Sequence, residues 1–226
     1  VRKNTRSVVY DEVQSGFLAG YAAVMDGYRS LGFLGGQKQK NVMYYGSGFV
    51  QGAEYAASQL KLKENEVTVR YDYLETNEIS PSVMARAGQW YEDGCELIFA
   101  AGGAIPTAVI KAAEATGGKV IASDVAQTSK QQAVVTTAEK NVTDVVYNAI
   151  GGAYGDSFDG GKEEIMDLSN EGVGLSMEQS AFQSFTADEY NKIVSQIVEK
   201  EVEVKKEYVS AINEEGGVAH LTLNFE

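Results

Sequence analysis

The chain has 226 residues, 44 % of them apolar and 23 % charged, the proportions of a folded globular protein and not of a disordered one. Its 19 basic against 32 acidic residues give a net charge of −13, which argues against nucleic acid as a partner because phosphate binding needs clustered Lys and Arg. No stretch reaches the roughly 18 to 20 apolar residues of a membrane span.

In chain order, Val8-Val9-Tyr10 is a short strand. Glu12 to Arg29 follows as an amphipathic helix, with Phe17, Leu18, Tyr21, Ala22 and Met25 at the helical period. Leu31 to Leu34 is a strand running into Gly35-Gly36, and Phe49, Ala53, Ala56 and Leu60 mark a second helix. Val67 to Tyr73 is a strand. Ser80-Pro81 is a helix start for Val83 to Glu92, proline being tolerated in the first turn. Leu97 to Ala100 is a strand, Pro106 to Ala115 a helix and Val120 to Ser123 a strand. Gln132 to Thr137 reads as a further strand and Val142 to Tyr154 as a helix. Gly160-Gly161 opens a looser region. Ser184-Phe-Thr-Ala-Asp-Glu starts a helix to about Val202, and the tail from Tyr208 to Phe225 reads as one or two strands. Strands alternating with helices predict βαβ units: a parallel sheet with helices on both faces.

The one cysteine, Cys95, rules out an internal disulfide and is expected to be a buried inert thiol. His220 is the one histidine, too far from Cys95 in sequence to make a persuasive catalytic pair or metal site. No catalytic residue, metal or cofactor is expected. The chain opens Val1-Arg2-Lys3-Asn4 without a methionine and is read as a processed or partial product.

Gly35-Gly36 and Gly102-Gly103 each follow a buried strand, where glycine permits positive φ or close approach of backbone to a ligand. Neither has the Walker spacing or a full G-x-G-x-x-G, so a nucleotide-phosphate site is poorly supported. Asp124 ends an apolar strand, at the end of the sheet where open α/β folds hold ligands. Its carboxylate can accept from two hydroxyls, as a ribose or another sugar would offer, or it can cap a turn. Lys140, just past the strand that follows, reads by itself as a solvated lysine.

These segments also form an ordered set. Ser15-Gly-Phe-Leu-Ala-Gly-Tyr-Ala-Ala, Leu31-Gly-Phe-Leu-Gly-Gly and Tyr45-Gly-Ser-Gly-Phe-Val-Gln-Gly-Ala come first. Gly94-Cys-Glu-Leu-Ile-Phe-Ala-Ala-Gly-Gly, Val120-Ile-Ala-Ser-Asp-Val-Ala-Gln and Val135-Thr-Thr-Ala-Glu-Lys follow. From Gln14 to about Lys140 this resembles the basic membrane protein family, the nucleoside-binding lipoproteins that serve ABC transporters. Beyond Thr143 the resemblance rests mainly on Gly172-Val-Gly-Leu. It departs from the family at Ala126, Thr137 and Ala104-Ile105-Pro106.

The resemblance implies a type I periplasmic-binding-protein fold, with two α/β lobes closing over a ligand. Residues 12–138 and 183–226 would form a nearly complete second lobe, and 1–11 and 139–182 the remaining segments of the first. Roughly a hundred family residues would precede Val1, a lobe-sized segment. The implied ligand is a purine nucleoside, with Asp124 on the ribose hydroxyls, Lys140 at the crossover, Gln127 beside them, and Gly102 and Gly103 lining the cleft. The implied partner is an ABC permease, and the implied location is extracytoplasmic, with a lipid anchor on a segment before Val1. The fragment by itself is expected to leave apolar surface uncovered and to self-associate. Two other readings stay open: a receptor or sensor for a sugar or other small polar ligand on the same fold, and an α/β hydrolase using Asp124 as a base.

Overall fold

The strands β2 (Ser30–Gly35), β4 (Leu97–Ala101) and β5 (Lys119–Asp124) carry apolar runs at residues 31–34, 97–101 and 120–122 because both of their faces are covered. Leu31 and Phe33 point into one core with Leu97 and Phe99, while Leu34, Ile98 and Ala100 point into the other. The first core is closed by α1 (Glu12–Met25) and α2 (Lys40–Gln59), the second by α3 (Pro81–Glu92) and α4 (Ile105–Thr116). The computed structural model that shows this describes residues 2–124, 132–155, 157–214 and 217–226.

With β3 (Val67–Tyr73), β6 (Val134–Lys140), β8 (Val173–Leu175) and β9 (Leu221–Phe225), these strands form a seven-stranded sheet of order β8-β6-β5-β4-β2-β3-β9. Every pairing is parallel except β6 with β8. A separate two-stranded parallel sheet joins β1 (Ser7–Tyr10) to β7 (Glu163–Met166), and α5 (Val142–Tyr154) lies between β6 and β7 in the chain. The chain passes between the sheets at Asp11, at Asn141 and at 167–172. These passes are stitched together by Asp11 N–H donating to the Met166 carbonyl (2.8 Å) and Asn141 N–H to that of Gly172 (2.9 Å).

Local chemistry explains most boundaries. Ser80 accepts from the Val83 N–H at 3.2 Å and Pro81 opens α3, as the sequence indicates. α1 stops at Met25, short of the expected Arg29, because Gly27 turns left-handed at φ +106°. The Asp26 carboxylate there accepts backbone N–H groups of Gln183, Ser184 and Phe185 at 2.6–3.0 Å. The cap of α6 (Ala187–Val198) is Thr186 in a box with Glu189, two residues beyond Ser184, and the helix ends at Val198 and not near Val202. β6 runs on to Lys140 because β5 pairs with it as far as Glu139 and β8 as far as Lys140. The tail is not all strand: Val209–Glu214 is a helix, α7, before β9.

α1 and α2 cross with their backbones in contact. A Cβ placed on Gly16 or Gly20 would stand inside contact distance of the Tyr45 and Phe49 carbonyls, and one on Gly48 or Gly52 inside that of Val13 and Phe17. Two glycines four apart on each helix thus interlock.

Cys95 is buried, and burial pushes its thiol pKa up to about 12, so the thiolate that reacts is scarce. The native protein is expected to resist alkylation by iodoacetamide at neutral pH and to take one label per chain once unfolded, as intact-mass measurement would show. His220 is engaged elsewhere, its Nδ1 2.6 Å from Glu54 Oε1.

Candidate functional site

The order of the large sheet reverses between β2 and β4, since β3 leaves β2 on one side and β4 returns on the other. Ligands of open α/β sheets collect outside the carboxyl ends at such a reversal. Gly35 lies opposite Ala101 there, and Asp124 opposite Glu139, so the ends of β2, β4, β5 and β6 share one rim. Asp124 itself stands one strand away from the reversal, on β5 beside β4.

At this rim Asp124 adopts φ +74°, a left-handed conformation uncommon for a residue with a Cβ. Backbone held there against preference is characteristic of functional sites. Its Oδ1 receives Lys140 Nζ at 2.8 Å and the Tyr45 hydroxyl at 3.3 Å, and its Oδ2 receives the Ser123 hydroxyl at 3.2 Å. Lys140 Nζ also reaches Glu12 Oε1 at 3.0 Å. The Lys140 and Glu12 side chains are 12 % and 10 % exposed against 36 % for Asp124, so Asp124 is the member that faces solvent. The rings of Tyr10 and Tyr45 flank the ammonium at 5.6 and 5.3 Å.

Burial opposes the charge on Lys140, yet Asp124 and then Glu12 more than restore it, and its pKa is raised above the ordinary lysine value. Burial also pushes the Tyr45 pKa well up, reinforced by the charges of Asp124 and Glu12, which keeps its hydroxyl a proton donor. One ammonium between two carboxylates leaves the group with a single net negative charge. It is equipped to accept hydrogen bonds from hydroxyls. No second, activated group stands beside it in the role of nucleophile or acid among the described residues.

Asp124 and Lys140 are therefore brought into direct contact, and the solvated reading of Lys140 is overturned by burial and pairing. Gly102 (φ +101°) and Gly103 (φ +54°) lie on the same rim. Their close approach is to the chain's own loop: a Cβ on Gly103 would stand 2.6 Å from the Asn77 carbonyl oxygen. Gln127 and Ala126 fall outside the described residues. Sequence reasoning missed Glu12, Tyr45 and Ser123. The signal for Glu12 was an acidic pair, Asp11-Glu12, placed where a strand gives way to a helix. Glu12 also borders a hollow of about 400 Å³ with Lys40, Tyr44 and Lys206, where Tyr44 stacks on Tyr208 at 5.8 Å. Among the described residues no group of three or more His, Cys, Asp or Glu could hold a metal ion, and no helix is long and apolar enough to cross a membrane.

Comparison with known proteins adds to this geometry. Residues 1–208 match the sequence profile of a family described as Bmp, ABC transporter substrate-binding protein PnrA-like. The chain is 30 % identical over 224 residues to Basic membrane protein B of Borreliella burgdorferi, covering 95 % of this chain and 59 % of that protein. It is 28 % identical over 198 residues to Basic membrane protein D of the same species, covering 85 % and 55 %. It thus spans somewhat more than half the length of these relatives. An ABC transporter solute-binding protein from Conexibacter woesei superposes with a TM-score of 0.70 at 19 % identity, over 92 % of this chain and 67 % of that one. One from Aeropyrum pernix gives 0.67 at 20 %, over 94 % and 63 %. At those identities the likeness fixes the fold, that of the periplasmic binding proteins.

Proposed function

The chain belongs to the Bmp family of PnrA-like ABC transporter substrate-binding proteins, a family of binders and not of enzymes, and on that premise we propose that it carries the ribose-binding half of a purine nucleoside receptor for an ABC importer. In this reading residues 12–138 and 183–226 are one lobe, and 1–11 with 139–182 belong to the other. Strand β8 crosses back from the second group to edge the large sheet.

The observation that carries the reading is Asp124: a solvent-facing carboxylate on the carboxyl rim of a parallel sheet, oriented by Ser123, Tyr45 and Lys140. Two adjacent ribose hydroxyls can donate to it, and charge-assisted hydrogen bonds of this kind are among the stronger ones. Lys140 remains charged against Glu12 when a ligand takes part of Asp124, so little electrostatic cost attends the exchange. Gly102 and Gly103, on the same rim, line the cleft in this reading, and Gln127 is assigned to the ligand with them. Tyr44 and Tyr73, near the same rim, offer aromatic surface for a base. Closure of the lobes on the nucleoside shifts an open–closed equilibrium that the permease reads. The receptor works outside the cytoplasm, held there by a lipid anchor.

Amide NMR of the 226-residue chain tests this, because it detects weak binding. Inosine, adenosine or guanosine should shift resonances around Asp124 and Lys140, and Asp124→Asn should weaken that binding about ten- to hundred-fold, the worth of a charged hydrogen bond. Shifts by free pentoses or hexoses of equal size to those by nucleosides would favour the sugar receptor. Release of free base during the titration would put an enzyme in its place.

A further inference from the structure

The turn Gly102-Gly103-Ala104 that leaves β4 has no means of holding its own shape. Gly102 and Gly103 both stand in left-handed conformations, where glycine has wide freedom, and none of the three residues has a side chain larger than a methyl group. Ala104 begins α4 without a side-chain cap. What fixes the turn comes from outside it, from the loop of residues 74–80 between β3 and α3. Leu74 N–H donates to the Gly35 carbonyl at 2.8 Å, Glu75 turns left-handed at φ +54°, and the loop comes back over the ends of β2 and β4. There the Asn77 carbonyl accepts the Ala104 N–H at 2.8 Å. The Asn77 side chain reaches the other way: its Oδ1 accepts the Gln37 N–H at 3.0 Å, and its Nδ2 donates to Gln37 Oε1 at 3.2 Å. One residue thereby ties the turn after β2 to the turn after β4. Contact is close on both sides. A Cβ on Gly36 would run into Asn77 Oδ1, and one on Gly103 into the Asn77 carbonyl and Cβ, so glycine is the residue that fits at each.

Asn77 thus fills the crevice where the order of the sheet reverses, which leaves a ligand the rim at β4, β5 and β6. Asp124 stands on that part of the rim, one strand away from the reversal. We propose that Asn77 is a positioning residue of the receptor: it holds the Gly102–Gly103 turn as a rigid wall beside Asp124, so that the ligand meets backbone already in place. This rests on the nucleoside-receptor reading above. A free glycine turn would have to be ordered when the ligand binds, at a loss of affinity, and a turn pinned beforehand avoids that loss. Asparagine suits the task because its side chain offers an acceptor and a donor side by side, matching the backbone N–H and the side-chain carbonyl of Gln37. The pinning is local, since Asn77 belongs to neither hydrophobic core.

Amide NMR of the 226-residue chain, with inosine, adenosine and guanosine as probes, tests the role. Asn77→Ala should weaken nucleoside binding about ten-fold, the worth of one or two hydrogen bonds. Without ligand, the same variant should move the resonances of Gly36, Gln37 and residues 102–104 and leave those of Ser123 and Lys140 in place. Asn77→Asp keeps an acceptor for the Gln37 N–H and can receive the Gln37 amide turned over, so it should recover affinity to within about three-fold of wild type. A role in folding alone would lower the melting temperature and leave the affinity of the folded chain unchanged. Equal affinity of Asn77→Ala and wild type therefore overturns the inference and leaves the receptor reading standing. An Asn77→Asp no better than Asn77→Ala, or an Asn77→Ala spectrum altered across the whole sheet, overturns it in the same way. A wild-type chain that binds no nucleoside removes the receptor reading and this inference with it.

Discussion

Lys140→Met is expected to lower the unfolding free energy of the chain by about 3 kcal/mol, the range seen when one member of a buried ion pair is removed. The side chain of methionine fills nearly the same space, so packing is not the cause. What is lost is the counter-charge of Glu12, whose carboxylate is 10 % exposed and has its ion pair with this ammonium. Glu12→Gln in the Lys140→Met background should recover much of the loss, since an amide can stay buried at a far smaller cost. The pH dependence has a defined sign. Lys140 has a folded pKa above its ordinary 10.5, so its contribution is complete below that value and disappears as pH rises through the folded one. Wild type and Lys140→Met should therefore differ by a constant amount from neutral pH to about pH 10 and converge above it. Urea unfolding at several pH values measures this; a difference that vanishes at pH 7 would mean that the cluster contributes nothing.

Gly20→Ala is expected to cost about 3 kcal/mol, although alanine is the better helix former by about 1 kcal/mol. The added methyl would meet the Phe49 carbonyl and the Ala53 nitrogen, which are backbone atoms and cannot rotate aside. Relief requires α1 and α2 to move apart, and that loosens the contacts of Gly16, Gly48 and Gly52 at the same crossing. The distance matters for the site also, because Glu12 stands on α1 and Tyr45 on α2. Gly88→Ala provides the opposite sign on a helix of the other face. Nothing lies within 4 Å of a Cβ there, and stability should rise by about 0.5–1 kcal/mol. Thermal melts of the two variants, run side by side, separate the effect of close approach from that of helix propensity.

Much of the architecture was legible in the residues. The unbroken apolar runs of β2, β4 and β5 reported strands covered on both sides, and each was flanked by a helix of the right period. Elements that depend on partners were less so. Val173-Gly-Leu175 carries no hint that it runs antiparallel to β6, and Val209–Glu214 has too few residues for a periodicity to declare itself. The glycines of α1 and α2 were visible as motif residues, but their role as a contact between helices depends on which helices cross.

The site divides in the same way. Asp124, Gly102 and Gly103 could be picked out because each lies at or just past the end of an apolar run that reads as a strand, whereas Lys140 acquired a role only through the family resemblance. The placement of Lys140 between Asp124 and Glu12, the Tyr45 hydroxyl on Asp124 and the self-contact of Gly103 with Asn77 join residues far apart in sequence. Local pattern determines which face a side chain takes and where an element stops. Only the order of strands in the sheet decides which of those side chains meet, because that order is set by long-range burial and not by any neighbour in the chain.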